Sequence, residues 1–324
     1  MKVIWNLTRL CNWNCVICCV DAVHVSNNQI PEIQKRLILN GKELTFEEKV
    51  KIVNDLYNSG INSIDFSGGN LLLIDDNIKL LQYAASKFSK DCLSISIPGN
   101  NLNSELICNL KDYVSKVEFT LDNVEGDKDG SRPNGFVELT KNAIKLCVKE
   151  NITVCVSTVL KKSNVSPKNL SKIYYFLIEN GVEEWEILRF YQVGRAANIY
   201  ALNPDDNELK EAIKYIDELK KKNIIQISYQ HSLKNKIHGN VKCNALSHSI
   251  GIFADGTVSA CAWALGYNGR PVDGNFVLGK MPEQSLKDII ESDKALKWNS
   301  NKLKNSASIC QLDKIMLNNL YFAE

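Results

Sequence analysis

Four cysteines fall within nine residues near the start of the chain, in the stretch CNWNCVICC from Cys11 to Cys19. Thiols at that density pair as disulfides, bind a metal ion or hold a cluster, and composition separates these chemistries. The chain has 324 residues and 11 cysteines, an odd count in a protein large enough to bury its own core, so disulfide staples are not expected. The opening MKVIWNLTRL lacks the apolar stretch and small-residue cleavage site of an export signal. No apolar run approaches the length that spans a bilayer. A cytosolic, reducing compartment is therefore expected, where clustered cysteines bind metal or carry redox chemistry. A net charge of +2 with 44% hydrophobic residues gives no bias toward nucleic acid or membranes, and neither is expected as a partner.

Cys11, Cys15 and Cys18 stand in CxxxCxxC spacing. A structural zinc site usually joins two CxxC knuckles across a longer loop. Here three cysteines share one compact loop with no matching pair nearby, and His24 is the available fourth ligand for zinc. Three thiolates suit a 4Fe–4S cube better, because they hold three irons and leave one corner open for a substrate or cofactor. Cys19 abuts the loop and is the candidate reactive thiol. Cys92, Cys147 and Cys155 lie in apolar patterns and read as small core residues.

The elements that position this loop follow from periodicity. KVIWNLT (Lys2–Thr8) reads as a buried strand, and an irregular polar segment runs from about Asp21 to Glu43. Thr45 with Glu48 three residues on forms a capping box, opening a helix that stops at Gly60. NSIDFSGG is a strand ending in a glycine pair. Further strands are expected at CLSISI, KVEFTL, ITVCVSTVL and EEWEILRF, with helices between them. Six strands alternating with helices predict a parallel α/β sheet or barrel. A helix over about Asp205–Lys222 follows. Its Lys-rich end ELKKKN reads as a solvated, dipole-matched terminus.

A second set of cysteines follows in the last third. CNALSHSIGIFADGTVSACAW contains Cys243 and Cys261 around two short apolar runs joined by Asp255-Gly256, a hairpin dipeptide. Such a ribbon brings both sulfurs toward one end, and a last helix near Gln284–Trp298 leads to Cys310. The expected division is an α/β domain over 1–230 and a small cysteine-bearing domain over 231–324.

With the cysteine loop after a first strand and a glycine pair ending the second, the sequence resembles the radical S-adenosylmethionine (SAM) superfamily. The resemblance implies a partial (β/α)6 barrel whose open iron is chelated by SAM, with the remainder as a small extension containing a β-hairpin. Cys11, Cys15 and Cys18 then hold the SAM-binding cluster. Ser67, Gly68, Gly69 and Asn70 stand where the family has its Gly-Gly-Glu motif for the SAM amino group, with Asn70 in place of the carboxylate. Ile17 stands where an aromatic is commoner. Ser96 and Ser157, near the ends of later strands, are candidates for ribose or carboxylate contacts. FTLDN (Phe119–Asn123), Arg132, Gly135-Phe136 and LRFYQVGRA (Leu188–Ala196) resemble the peptide-maturing branch. Cys243, Gly256 and Cys261 resemble the auxiliary-cluster extensions called SPASM and Twitch, implying a second 4Fe–4S cluster held by Cys243, Cys261 and Cys310. Asp313 is its candidate fourth ligand, the other option being an open iron. A zinc site from the same cysteines with His248 is the competing reading.

The function so implied is reductive cleavage of SAM to a 5′-deoxyadenosyl radical, followed by hydrogen abstraction. The expected substrate is a ribosomally made peptide, modified by oxidative bond formation or epimerisation. A radical dehydrogenase of a small molecule such as an aminocyclitol is the alternative. A non-catalytic iron–sulfur or zinc carrier would not need the glycine pair. The chain starts directly at the first strand, so a fused N-terminal peptide-recognition domain is not expected; the alternatives are a peptide presented by a separate recognition protein, leaderless recognition of the peptide, or a small-molecule substrate. Flavodoxin or ferredoxin is the expected electron donor.

Overall fold

A computed structural model describes residues 1–238, 243–304 and 310–313 of the chain. The strands of the sheet are β1 (Lys2–Asn6), β2 (Ser63–Ser67), β3 (Leu93–Ser96), β4 (Lys116–Thr120), β5 (Thr153–Leu160), β6 (Glu184–Arg189), β7 (Gln226–Tyr229), β8 (Ser249–Ile252), β9 (Thr257–Ser259) and β10 (Val277–Lys280). Between them run α1 (Ile30–Leu39), α2 (Phe46–Asn58), α3 (Asp75–Ala85), α4 (Ser104–Tyr113), α5 (Phe136–Lys149), α6 (Pro167–Glu179), α7 (Asp206–Lys221) and α8 (His231–His238), with α9 (Leu286–Glu291) and α10 (Asp293–Lys304) at the end.

Among the described residues these ten strands form one sheet, ordered β10-β9-β8-β1-β2-β3-β4-β5-β6-β7. Every pairing from β8 through β1 to β7 is parallel, and the β8–β9 and β9–β10 pairings are antiparallel, so β9 alone runs against the rest. The ends do not join, yet residues from β1 to β6 line one common cavity, so the sheet curls into a partial barrel.

Strand alternation divides the sheet chemically. On the outer face Val3, Trp5, Ile64, Phe66, Ile95, Val117, Phe119, Val154, Val156, Trp185 and Ile187 pack with the helices into a single core. Inward-facing positions carry Lys2, Asp65, Ser96, Glu118, Thr120, Ser157 and Glu186 instead. Polar side chains cannot fill a barrel as branched apolar layers do, so the interior stays hollow. The helices are set by their caps: Thr45 accepts from the Glu48 N–H and Glu48 returns to the Thr45 N–H, as the capping box predicts.

Three elements depart from the sequence reading. The segment read as irregular contains α1, whose Leu37 and Ile33 pack with Leu10, Val25 and Ile74. A seventh parallel strand, β7, follows α7; its four residues are too short a run to stand out. The last helix breaks at Ser292, whose ψ of 153° is extended. The sheet also continues across residue 230, because β8 lies beside β1 with Lys2 opposite Ser249 and Trp5 opposite Ile252.

Gly68 and Gly69 are required by backbone contact. Gly68 sits at φ +136°, and a Cβ there would lie 2.5 Å from the Thr8 carbonyl oxygen; at Gly69 it would lie 2.2 Å from that of Leu10. The Gly69 and Asn70 N–H groups donate to these same two carbonyls. Overpacking of this kind costs about 1–3 kcal/mol. Gly69→Ala is expected to lose that much in anaerobic urea unfolding, whereas Gly274→Ala, where a methyl meets nothing within 4 Å, should stay near wild type.

Candidate active site

The glycine turn fixes the strand that delivers the first cysteine. Leu10–Cys11 pairs in parallel with Val23–His24, closing a loop that carries Cys15, Cys18 and Cys19. A second backbone contact holds the far side. A Cβ on Gly194 would lie 2.5 Å from the Cys18 carbonyl oxygen and 2.4 Å from that of Cys19, and the Arg195 N–H donates to Cys18 O. The Arg195 side chain then reaches across the loop. It donates to Asn14 Oδ1 at 2.9 Å, Cys15 O at 2.7 Å, Asp21 Oδ1 at 3.2 Å and the Ala22 carbonyl.

The sulfurs sit in a donor-rich surround. The Trp13 N–H donates to Cys11 Sγ at 3.4 Å, and the Ala22 N–H to Cys18 Sγ at 3.3 Å. Burial pushes the Cys11 and Cys19 thiols up to about 12. It also raises Cys15, which the Arg132 guanidinium opposes. Arg132 is itself held by Asp122 at 2.9 Å and lies over the Phe136 ring. Buried thiols that meet N–H and guanidinium donors are suited to cluster thiolates, whose charge the iron and these donors offset.

Cys243, Cys261 and Cys310 face the same cavity. The Trp263 and Ala264 N–H groups point at Cys261, and those of Leu312 and Asp313 at Cys310. Burial raises both thiols, with Cys310 adding to the effect at Cys261 and Asp313 adding to it at Cys310. Tyr191 stacks on Trp263 with its hydroxyl 3.9 Å from Cys310 Sγ, and Arg189 lies over its ring. Among the described residues no three His, Cys, Asp or Glu side chains converge tightly enough to hold a single ion.

The cavity measures 410 Å³, within the range of small-molecule sites. Its wall includes both cysteine sets, Cys19, Ser67, Gly68, Gly69, Ser96 and Ser157. Ser96 Oγ also donates to Asp65, and Ser157 Oγ lies 3.2 Å from Thr120 Oγ1. Asn70 departs from its expected place facing an ammonium group. It is fully buried outside the cavity wall, its Oδ1 accepting from the Leu72 N–H and its Nδ2 donating to Asn12 and Asn100. The turn that brings Gly68 and Gly69 against Thr8 and Leu10 directs that side chain into the protein. Asp313 is likewise placed as a counter-ion: its two oxygens accept from Arg189 at 2.7 and 2.5 Å. His24 and His248 are not on the cavity wall.

Arg189, Arg195 and Gln230 had no assigned role in the sequence, although the two arginines lie within LRFYQVGRA. Only the folded contacts show what each one holds.

Comparison with known proteins agrees with this geometry. The family model described as the radical SAM superfamily matches residues 5–172, and one described as an iron–sulfur cluster-binding domain matches residues 243–312. The chain belongs to the radical SAM superfamily. Its cofactors are a 4Fe–4S cluster, an auxiliary cluster and SAM. It is 26% identical over 217 residues to Fe-coproporphyrin III synthase of Methanosarcina barkeri, covering 66% of this chain and 49% of that protein. It is also 26% identical over 212 residues to the sporulation killing factor maturation protein SkfB of Bacillus subtilis, covering 63% and 46%. The chain thus spans about half the length of these two curated relatives. The fold is similar to that of Streptococcus suis SuiB bound to the precursor peptide SuiA, with a TM-score of 0.70 at 14% identity over 90% of this chain and 64% of that one.

Two substitutions test the positioning contacts. Arg195→Met removes four side-chain contacts to the cysteine loop and is expected to lower iron retention after anaerobic reconstitution, with the fold intact by circular dichroism. Asp313→Asn leaves Arg189 without the charge partner of a part-buried, two-pronged pair, and losing a hydrogen-bonded charge of this kind costs about 1.5–3 kcal/mol. Its unfolding midpoint should fall while iron per folded chain stays at the wild-type value. Iron lost from folded Asp313→Asn would place the carboxylate on the cluster.

Proposed function

We propose that the protein modifies a ribosomally made peptide by hydrogen abstraction, in the cavity between the two cysteine sets. The observation that carries this reading is that Cys11, Cys15 and Cys18 open on the same cavity as Cys243, Cys261 and Cys310. The first set would hold the SAM-binding cluster and the second the auxiliary cluster. When bound, these groups supply the radical and a sink for the substrate electron. The protein's own part is positional. Gly68 and Gly69 set the cysteine loop and lie on the cavity wall, while Arg132 and Arg195 hold the loop's charge and shape. Trp13 and Phe136, packed edge to face at 5.4 Å, close one side against water. Support for a peptide comes from SkfB, a maturation protein, and from SuiB, solved with a precursor peptide.

The similarity to Fe-coproporphyrin III synthase favours a second reading, oxidation of a tetrapyrrole. Against it, the carboxylates on the cavity wall, Asp65 and Glu186 among them, would oppose a porphyrin's propionates with like charge.

With dithionite, anaerobically reconstituted protein is expected to release 5′-deoxyadenosine, and the Cys11/Cys15/Cys18→Ala variant none. Turnover unchanged in that variant would refute the assignment. Incubation with a precursor peptide encoded beside the gene should remove a hydrogen pair or introduce solvent deuterium at one carbon, read by mass spectrometry. SAM consumption that leaves peptides unaltered while altering coproporphyrin would favour the second reading.

A further inference from the structure

Gln230 follows β7 and lines the cavity with only 6% of its surface exposed. Its Oε1 accepts from the Arg189 N–H at 3.1 Å and from the Ser232 hydroxyl at 3.4 Å. Because Arg189 contributes a backbone donor, the amide orientation is fixed, and Nε2 is left without an acceptor. A buried amide donor left unpaired is destabilising until an acceptor reaches it. Gln230 itself lies on the wall of the cavity where a substrate must sit.

Below it lies a charge imbalance. Glu186 is opposite Ser228 in the sheet register, two residues before Gln230, and shares the inward face with Glu118 and Asp65. Asp65 accepts from the Ser94 and Ser96 hydroxyls, but none of the ion pairs among the described residues includes Asp65, Glu118 or Glu186. Desolvation, with Asp65 and Glu186 adding to it, pushes the Glu118 carboxyl up to about 8. The cations acting on the glutamates are Lys2, at the exposed start of β1, and Lys116, which is already paired with Glu184 at 2.8 Å. Carboxylates in a buried cavity without a bound cation are costly unless a ligand brings one.

We propose that this cavity contains a subsite for a residue with an amine or guanidinium side chain. Glu118 and Glu186 take the cation, and Gln230 Nε2 donates to that residue's backbone carbonyl. Two residues along a strand span about 7 Å, a distance that a lysine or arginine side chain bridges from its own backbone. The unpaired donor and the carboxylates, which none of the ion pairs among the described residues includes, thus find complementary groups in one amino-acid residue. This rests on the reading of the cavity as a peptide site, and it names the side-chain class that site accepts.

The test uses reconstituted holoprotein with SAM and two neutral-backbone probes, Nα-acetyl-lysine methylamide and its norleucine counterpart, titrated anaerobically by calorimetry. Wild type should bind the lysine amide roughly tenfold more tightly, the effect of one charge-assisted contact. Glu118→Gln/Glu186→Gln should bind both amides alike, while Glu118→Asp/Glu186→Asp, which keeps the charge, should retain the preference. Gln230→Leu should weaken both amides equally, since each carries the same carbonyl. Equal binding by wild type, no binding of the lysine amide, or a preference that survives in the Gln/Gln variant would each overturn the subsite. So would loss of SAM affinity in that variant with the lysine preference intact, which would assign the carboxylates to the nucleoside. Binding to the amides is read apart from turnover, so SAM cleavage without peptide modification would refute the peptide reading and leave the amine preference measured here standing.

Discussion

The arrangement depends on close backbone approach around the Cys11–Cys19 loop. Apart from the Leu10–Cys11 pairing that anchors its start, the loop has no ladder of its own, so its shape is imposed from outside. Gly68 and Gly69 press on Thr8 and Leu10 from one side, and Gly194 presses on Cys18 and Cys19 from the other. At each point a methyl group would collide with a carbonyl oxygen at 2.2 to 2.5 Å. Arg195 fills the remaining space with donors to the loop's own acceptors. Three thiols are thereby held on one wall before any iron is considered, which spares the cluster the entropy of ordering the loop.

The hollow interior comes from the same chain by a different rule. Parallel strands buried on both faces usually read as continuous apolar runs. Here β2, β4 and β6 alternate instead, with Ile64, Phe66, Val117, Phe119, Trp185 and Ile187 outward and Asp65, Glu118 and Glu186 inward. The outer face supplies the stabilising burial. The inner face gives up packing to leave room for a ligand, and the cost is carried as desolvated carboxylates such as Glu118.

Closure of the cavity is a matter of charge and aromatic contact. Arg189, at the end of β6, pairs with Asp313 and lies over Tyr191, which stacks on Trp263 and approaches Cys310. Three distant stretches of chain meet there. The extension is further tied to the body through β8, which continues the parallel sheet beside β1. Cys243, Cys261 and Cys310 are therefore held against the barrel by both a backbone ladder and a part-buried ion pair.

Local spacing alone revealed the cysteine sets, the glycine pair, the first six parallel strands and the hairpin turn at Asp255-Gly256, because each is a short-range pattern with a physical period or a required residue. The Thr45–Glu48 cap belongs to the same class. Tertiary structure decided what distance along the chain conceals. It placed Asn70 as a buried cap with its amide turned from the cavity, since the glycines before it must face Thr8 and Leu10. It gave Asp313 to Arg189, 124 residues away. It also left Gln230 Nε2 without an acceptor, a property no sequence displays, because whether a donor is satisfied depends on every strand that surrounds it.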